Sequence, residues 1–395
     1  MIKNLEYHWR YTNNHILNNA RCLYICGSLL DIKHVKKIAQ EIVYSQTDKM
    51  IRNGVLQEAS THYQMLITRS YLEMQYVAEI TKDHDMLKWI EKRASQMLKV
   101  CDILQSRFEA KEYPLFGDIS PDIFPEWMLG RPFSQGGNVV SRWQKLFRIN
   151  RDLSFVHEGQ SMSCSADSGE NMWHYILKGR FEIWIIAKTH GNSSHGHADN
   201  GSIVIYYDGN PIFIDLGRYK YKKTPRSFFQ ISQEAHHIPY IKDFPIEPMS
   251  GSMLSHARMT SKYEVLDITA ESITYNITSF DKKWKLMREI ALEAETAIIE
   301  DTILTKSDPK EMMYRQNWYA CERISTLGTK AWIQMQHHSL ECTISADRPL
   351  KIKVSELSRS HRYGELTPCF QLALSTPVHP EKPVTMMIRE CDVHG

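Results

Sequence analysis

From residue 12 to about 109 the apolar positions recur at steps of three and four, the repeat that lines one face of an α-helix. The clearest run is Met86, Ile90, Ala94, Met97, Cys101, Leu104 and Phe108. Upstream, Thr12 or Asn13 can cap a helix carrying Ile16, Ala20, Leu23 and Leu30, and Asp31 can cap a second carrying Val35, Ile38 and Ile42. Another helix is expected from about Glu58 to Ile80. Amphipathic helices joined by short connections pair antiparallel and bury their stripes against each other.

Between about 110 and 150 this repeat lapses into Pro- and Gly-containing sequence, PLFGDISPDIFPEW followed by GRPFSQGGN, which marks a boundary. Beyond it the period becomes two, or short apolar runs broken by turns: WHYIL, KGR, FEIWIIA, then SIVIYY, DGN, PIFID. Asp208 and Gly209 suit a tight hairpin turn because both tolerate positive φ. Further strand-like runs are KYEVLDIT, SITYNIT, KLMREIAL, TAIIEDTIL and KIKVSEL. With no helices between them, they predict antiparallel sheets packed as a sandwich. The expected architecture is α+β and multidomain, with a helical domain over 1–140 and a β-sheet domain over 150–395.

Composition narrows the function classes. A chain of 395 residues that is 42% hydrophobic buries substantial cores and is not disordered. Lysine plus arginine (48) nearly balance aspartate plus glutamate (46), which argues against a nucleic-acid partner. The eight cysteines are scattered with no CxxC pair and read as buried thiols. No apolar stretch is long enough for a membrane span, and Met1 to Arg10 carries no export signal. The chain opens almost directly into a helix, as though sequence preceded it.

The densest polar cluster is His195-Gly-His197-Ala-Asp199-Asn200-Gly201, just before the strand Ser202 to Tyr207. Asp215 follows His197 by eighteen positions, at the end of the next strand. A hairpin through 208–210 sets the start of one strand opposite the end of the other, so His197 and Asp215 are expected to be close. His236, in SQEAHHIPYI with His237 beside it, is a third candidate ligand. Two imidazoles and a carboxylate suit a divalent metal such as Zn²⁺. Taken singly, a histidine is more often a hydrogen-bonded core or surface group.

HGHADNGSIVIYYDGNPIFIDLGRYKY resembles the central signature of the heparinase II/III-like family of polysaccharide lyases, in which H-x-H-x-D enters a strand and a second strand ends in D-x-G. RSFFQISQEAHHIPYI is similar to the family's next segment, with His237 standing where asparagine is usual. TNNHILNN resembles its asparagine-rich helix start, GVLQEASTHYQ its segment with a catalytic tyrosine, and GDISPD at 117–122 is also similar. The resemblance implies part of an α/α toroid followed by an antiparallel β-sandwich. It departs in one respect: the helical region is shorter than the family's toroid, so either the toroid is truncated or the chain is part of a longer product.

The implied activity is β-elimination on a uronate-containing, acidic polysaccharide. Such a reaction stabilises charge on the C6 carboxylate, removes the C5 proton and protonates the departing O4. By resemblance Asn14 or His15 faces the carboxylate, and preorganised donors there are worth about 3 kcal/mol each. Tyr63 is the expected proton carrier and His195 a second base or an orienting group; two bases on opposite faces of the sugar would permit attack on either C5 epimer. Asn13, Glu58 and His62 are expected to contact substrate, with Glu58 and His62 also able to orient Tyr63. A Zn²⁺ on His197, Asp215 and His236 is expected to fix the loop that presents His195 rather than to attack substrate. Two rival readings are a polysaccharide-binding or capsule-assembly protein without turnover, and a metal-dependent hydrolase. The family is usually periplasmic or secreted; a cytoplasmic location is also compatible with these residues.

Overall fold

The structure is a computed structural model that describes residues 2–7, 13–104, 112–123, 128, 139–148, 172–188, 195–247, 261–305 and 312–391. The helical portion contains α1 (Asn14–Leu29), α2 (Lys33–Met50), α3 (Thr61–Ile80), α4 (His84–Ile103) and α5 (Val139–Leu146). Each expected stripe forms core: Ile16, Ala20 and Leu23 on α1, Ile42 on α2, and Met86, Ile90, Ala94, Met97 and Cys101 on α4 are all buried together. Trp143 on α5 joins the same core, so the helical body extends past residue 140.

The helix ends differ from expectation in instructive ways. Asn13 caps α1 through its side chain, which accepts from the His15 N–H. Leu30 lies past the end of α1 and is 68% exposed. Asp31 does not cap α2; it adopts positive φ (51°), and Ile32 precedes the helix without a side-chain cap. The third helix begins at Thr61 rather than Glu58, because Ser60 supplies the cap by accepting from the Tyr63 N–H. Phe108 and parts of the expected boundary segment, including 124–127 and 129–138, lie outside the described residues.

The strands in chain order are β1 (Ile51–Arg52), β2 (Val55–Leu56), β3 (Trp173–Lys178), β4 (Phe181–Ile186), β5 (Ile203–Tyr207), β6 (Asn210–Phe213), β7 (Tyr240–Ile241), β8 (Lys262–Ile268), β9 (Ser272–Thr278), β10 (Trp284–Leu292) and β11 (Thr296–Thr305). They continue as β12 (Met313–Ala320), β13 (Ile324–Leu327), β14 (Lys330–Gln334), β15 (Ser339–Ala346), β16 (Lys351–Arg359), β17 (Thr367–Pro377) and β18 (Val384–Cys391). One sheet has the order β13-β14-β15-β18-β11-β10-β9-β8. The other has the order β16-β17-β12-β6-β5-β4-β3, with β7 also paired to β12. The pairings are antiparallel, and the two sheets bury a common core, as a sandwich does.

The second sheet is covered on both faces, which explains the unbroken apolar runs of β4 and β5. Phe181, Ile183, Ile185, Ile203 and Ile205 point into the core between the sheets. Their alternates Trp184, Ile186, Val204 and Tyr206 pack instead on Val55, Ala59, Val100, Leu104 and Phe116 of the helical portion. Period two therefore sorts one strand between two cores. Asp208 (φ 51°) and Gly209 (φ 70°) form the expected turn of the β5–β6 hairpin. No helix was expected between the strands, but α6 (Pro225–Ile231), opened by a capping box between Thr224 and Ser227, lies between β6 and β7.

Candidate active site and metal centre

The covered face of the second sheet brings the start of β5 against the start of α3. Ser60 and Thr61 fasten this joint: the Ser60 hydroxyl donates to the Asp118 carbonyl (2.7 Å), and the Thr61 N–H to the Phe116 carbonyl (3.1 Å). The Asp118 N–H then donates across the seam to the His195 carbonyl (2.8 Å). Gly117 makes the approach possible at φ 71°; a Cβ there would lie 2.3 Å from the Ala59 carbonyl oxygen and 2.6 Å from that of His195.

Within this joint the ring of Tyr63 stacks on that of His195, centroids 3.5 Å apart and planes 14° from parallel. Tyr221 donates its hydroxyl proton to the Ile119 carbonyl (2.9 Å), so the 2.9 Å contact between the two phenols has Tyr63 as donor. Burial pushes the Tyr63 phenol up to about 12, so it holds its proton at neutral pH.

Asp118 is the hub of the site. Its Oδ2 lies 3.2 Å from His195 Nδ1, its Oδ1 2.9 Å from His197 Nε2, and Arg218 Nη1 donates to both oxygens at 3.0 and 3.1 Å. Burial opposes ionisation of this carboxyl, but the hydrogen bonds with His195 and His197 and the Arg218 charge hold it well below the usual carboxylate range. His195 Nε2 is buried and, among the described residues, has no hydrogen-bond partner, with Glu58 Oε2 at 3.9 Å.

The other expected site residues divide. Asn14 belongs to the cluster: its backbone N–H donates to Glu58 Oε1 (2.8 Å), and its own Oδ1 is buried with no partner among the described residues. His15, one position on, turns outward; its side chain is 50% exposed and sits 3.2 Å from Glu6. Asn13 is occupied in capping α1. His62, expected to contact substrate, is wholly buried, and its Nδ1 accepts from the Ser120 N–H (2.9 Å). Burial lowers its imidazole to about 3, consistent with a neutral acceptor that pins the 118–120 segment.

Behind Asp118, one ligand atom from each of His197, Asp215 and His236 falls within 4.8 Å of the others, all three residues buried. His236 Nδ1 sits 2.6 Å from Asp215 Oδ2, and Asp215 Oδ1 accepts from the Gly217 N–H (2.8 Å). His197 Nδ1 and His236 Nε2 are buried and have no partners among the described residues. Unpartnered imidazole nitrogens beside a carboxylate fit a divalent cation of the Zn²⁺ class. His237 is excluded as a ligand because both nitrogens are used: Nδ1 faces the Ile203 carbonyl (2.6 Å) and Nε2 accepts from the Tyr319 N–H (3.0 Å). Buried Lys188 supports the loop from the other side, contacting Asp199 (3.1 Å), Glu247 (2.9 Å) and the His197 carbonyl.

Sequence reasoning gave no role to Asp118, Arg218 or Tyr221. Their signals were present: Asp118 stands in GDISPD, and Arg218 and Tyr221 follow Asp215 within LGRYKY. What was missing was the fold that joins the two stretches.

Residues 166–238 match a family model described as heparinase II/III-like, C-terminal. No curated protein matches the chain in sequence. Among solved structures, the chain is similar to heparinase III, with TM-score 0.76 and 13% identity over 97% of this chain and 62% of that one. It is also similar to a heparan sulfate lyase from Pedobacter heparinus, with TM-score 0.70 and 13% identity over 99% of this chain and 62% of that one. The chain thus spans about six-tenths of the length of the structures it matches, and shares their architecture of toroid helices and β-sandwich.

Proposed function

We propose, for a chain whose residues 166–238 are heparinase II/III-like, that the seam between helices and sheets cleaves a 4-linked uronate polysaccharide by β-elimination. The observation that carries this reading is the contact of Tyr63 with His195, a helix-borne phenol and a sheet-borne imidazole brought together at one place. Lyases of heparan sulfate among the similar structures support an acidic polysaccharide as the substrate class.

The chemistry follows from the protonation states. His195 Nε2 accepts the C5 proton, the C5–H electron pair forms the C4=C5 double bond, the C4–O4 bond breaks, and O4 takes the proton of Tyr63. Tyr63 suits the acid role because its phenol is protonated at neutral pH. The stacked rings leave no space for a sugar between them, so base and acid act from the same side rather than from opposite faces. Stabilisation of the developing enolate is assigned to Asn14 rather than His15, because its backbone N–H is held by Glu58 and its side-chain oxygen is buried, while the His15 side chain is half exposed. A Zn²⁺ held by His197, Asp215 and His236 would supply a fixed anchor for the loop carrying His195.

The test is to screen the purified protein against heparan sulfate, hyaluronan, alginate and bacterial capsule polysaccharides. A lyase produces unsaturated uronate ends that absorb in the ultraviolet. Cleavage without that absorbance identifies a hydrolase, and binding without cleavage identifies a non-catalytic polysaccharide-binding protein; either result overturns the reading.

A further inference from the structure

We propose that Asp118 is a positioning residue whose single carboxylate sets the tautomers of His195 and His197 in opposite senses, making one a base and the other a metal ligand. The role given to His195 rests on the lyase reading; the rest stands on geometry.

A neutral imidazole carries one N–H, and whichever nitrogen donates leaves the other as a lone pair. Asp118 takes Nδ1 of His195 (3.2 Å) but Nε2 of His197 (2.9 Å). His195 is thereby left with its lone pair on Nε2, buried and without a hydrogen-bond partner among the described residues, beside the Tyr63 ring. His197 is left with its lone pair on Nδ1, equally unpartnered, within the group formed with Asp215 and His236. Reversing either tautomer puts a proton on the atom that has to accept one or bind a cation.

The carboxylate itself is fixed. Ser60 holds the Asp118 carbonyl from the helical side, the Asp118 N–H holds the His195 carbonyl, and Arg218 contacts both carboxylate oxygens. Asp118 therefore does for His195 what the buried carboxylate does in a hydrolase triad, and for His197 what an outer carboxylate does for a metal-bound histidine. The same group serves both, so base and metal site are one mechanical unit.

Two measurements on the full chain decide this. Nitrogen-15 NMR of the zinc-free wild type is expected to show His195 as the Nδ1–H tautomer and His197 as the Nε2–H tautomer. In Asp118→Asn, kcat is expected to fall at least ~100-fold with KM within about 3-fold, and a competing chelator to remove zinc at roughly 10-fold lower concentration. An Nε2–H tautomer at His195 in the wild type overturns the proposal, and so does Asp118→Asn with unaltered kcat and zinc retention. If Asp118→Asn does not fold, the wild-type tautomers decide alone. If no polysaccharide is cleaved, the lyase reading fails, while tautomers and zinc competition still decide Asp118.

Discussion

The imidazole of His195 lies flat against the phenol of Tyr63, although 132 positions separate them in the chain and they belong to differently built halves. Van der Waals contact between the rings constrains the chemistry more than their identities do. Two groups that touch face to face cannot enclose a sugar ring, yet they can present a base and an acid to the same edge of it.

Replacing Tyr63 with Phe removes the proton donor and keeps the stacked ring. Product formation is expected to fall about 10²- to 10⁴-fold, the range for loss of a general acid. The fold loses one hydrogen bond to Tyr221, worth about 1 kcal/mol. Ultraviolet product assays with a parallel thermal melt check both; wild-type rates in a folded Tyr63→Phe protein remove the phenol from the mechanism.

Action from one side selects the C5 epimer. H5 and O4 lie on the same side of the ring in glucuronate and mannuronate, and on opposite sides in iduronate and guluronate. The stacked pair is therefore expected to cleave glucuronate- or mannuronate-containing chains and to leave iduronate or guluronate linkages intact. Comparing defined polymers of each epimer checks this, and equal rates on both would require the rings to separate during the reaction.

His197→Ala removes one of the three clustered ligands and a buried contact to Asp118. Zinc content measured by atomic absorption and the thermal midpoint are expected to fall together, with affinity reduced by an order of magnitude or more. A variant that keeps one equivalent of zinc shows that the ion is held elsewhere.

Acid should destabilise the fold before the buried carboxylates titrate. Burial lowers the His62 imidazole to about 3 and that of His174 to about 4. Both lie below the unfolded value near ~6.5, so the unfolded chain binds these protons first as pH falls. Their stabilisation is complete above about pH 6.5 and is lost toward pH 4 and 3, at up to about 1.4 kcal/mol per pH unit for each group. The thermal midpoint is expected to drop between pH 7 and 5, and to drop less in His62→Gln, which retains an acceptor for the Ser120 N–H. Equal drops in the two proteins would place the acid sensitivity in other groups.

The two periodicities and the turn at Asp208 and Gly209, and hence helices followed by antiparallel strands, were legible in the residues alone, because local propensity and burial patterning act over a few residues. Residue type and a hairpin also marked the trio of His197, Asp215 and His236, while Tyr63 and His195 were marked by segments that resemble a known lyase family. The packing of the two halves set the rest: His15 turns outward while Asn14 turns in, His237 is committed to structural hydrogen bonds, and Asp118 and Arg218 stand at the centre. Those outcomes depend on which side chains meet across the seam. Contacts between residues a hundred positions apart leave no periodic trace, because they are fixed by how two separately formed surfaces fit together.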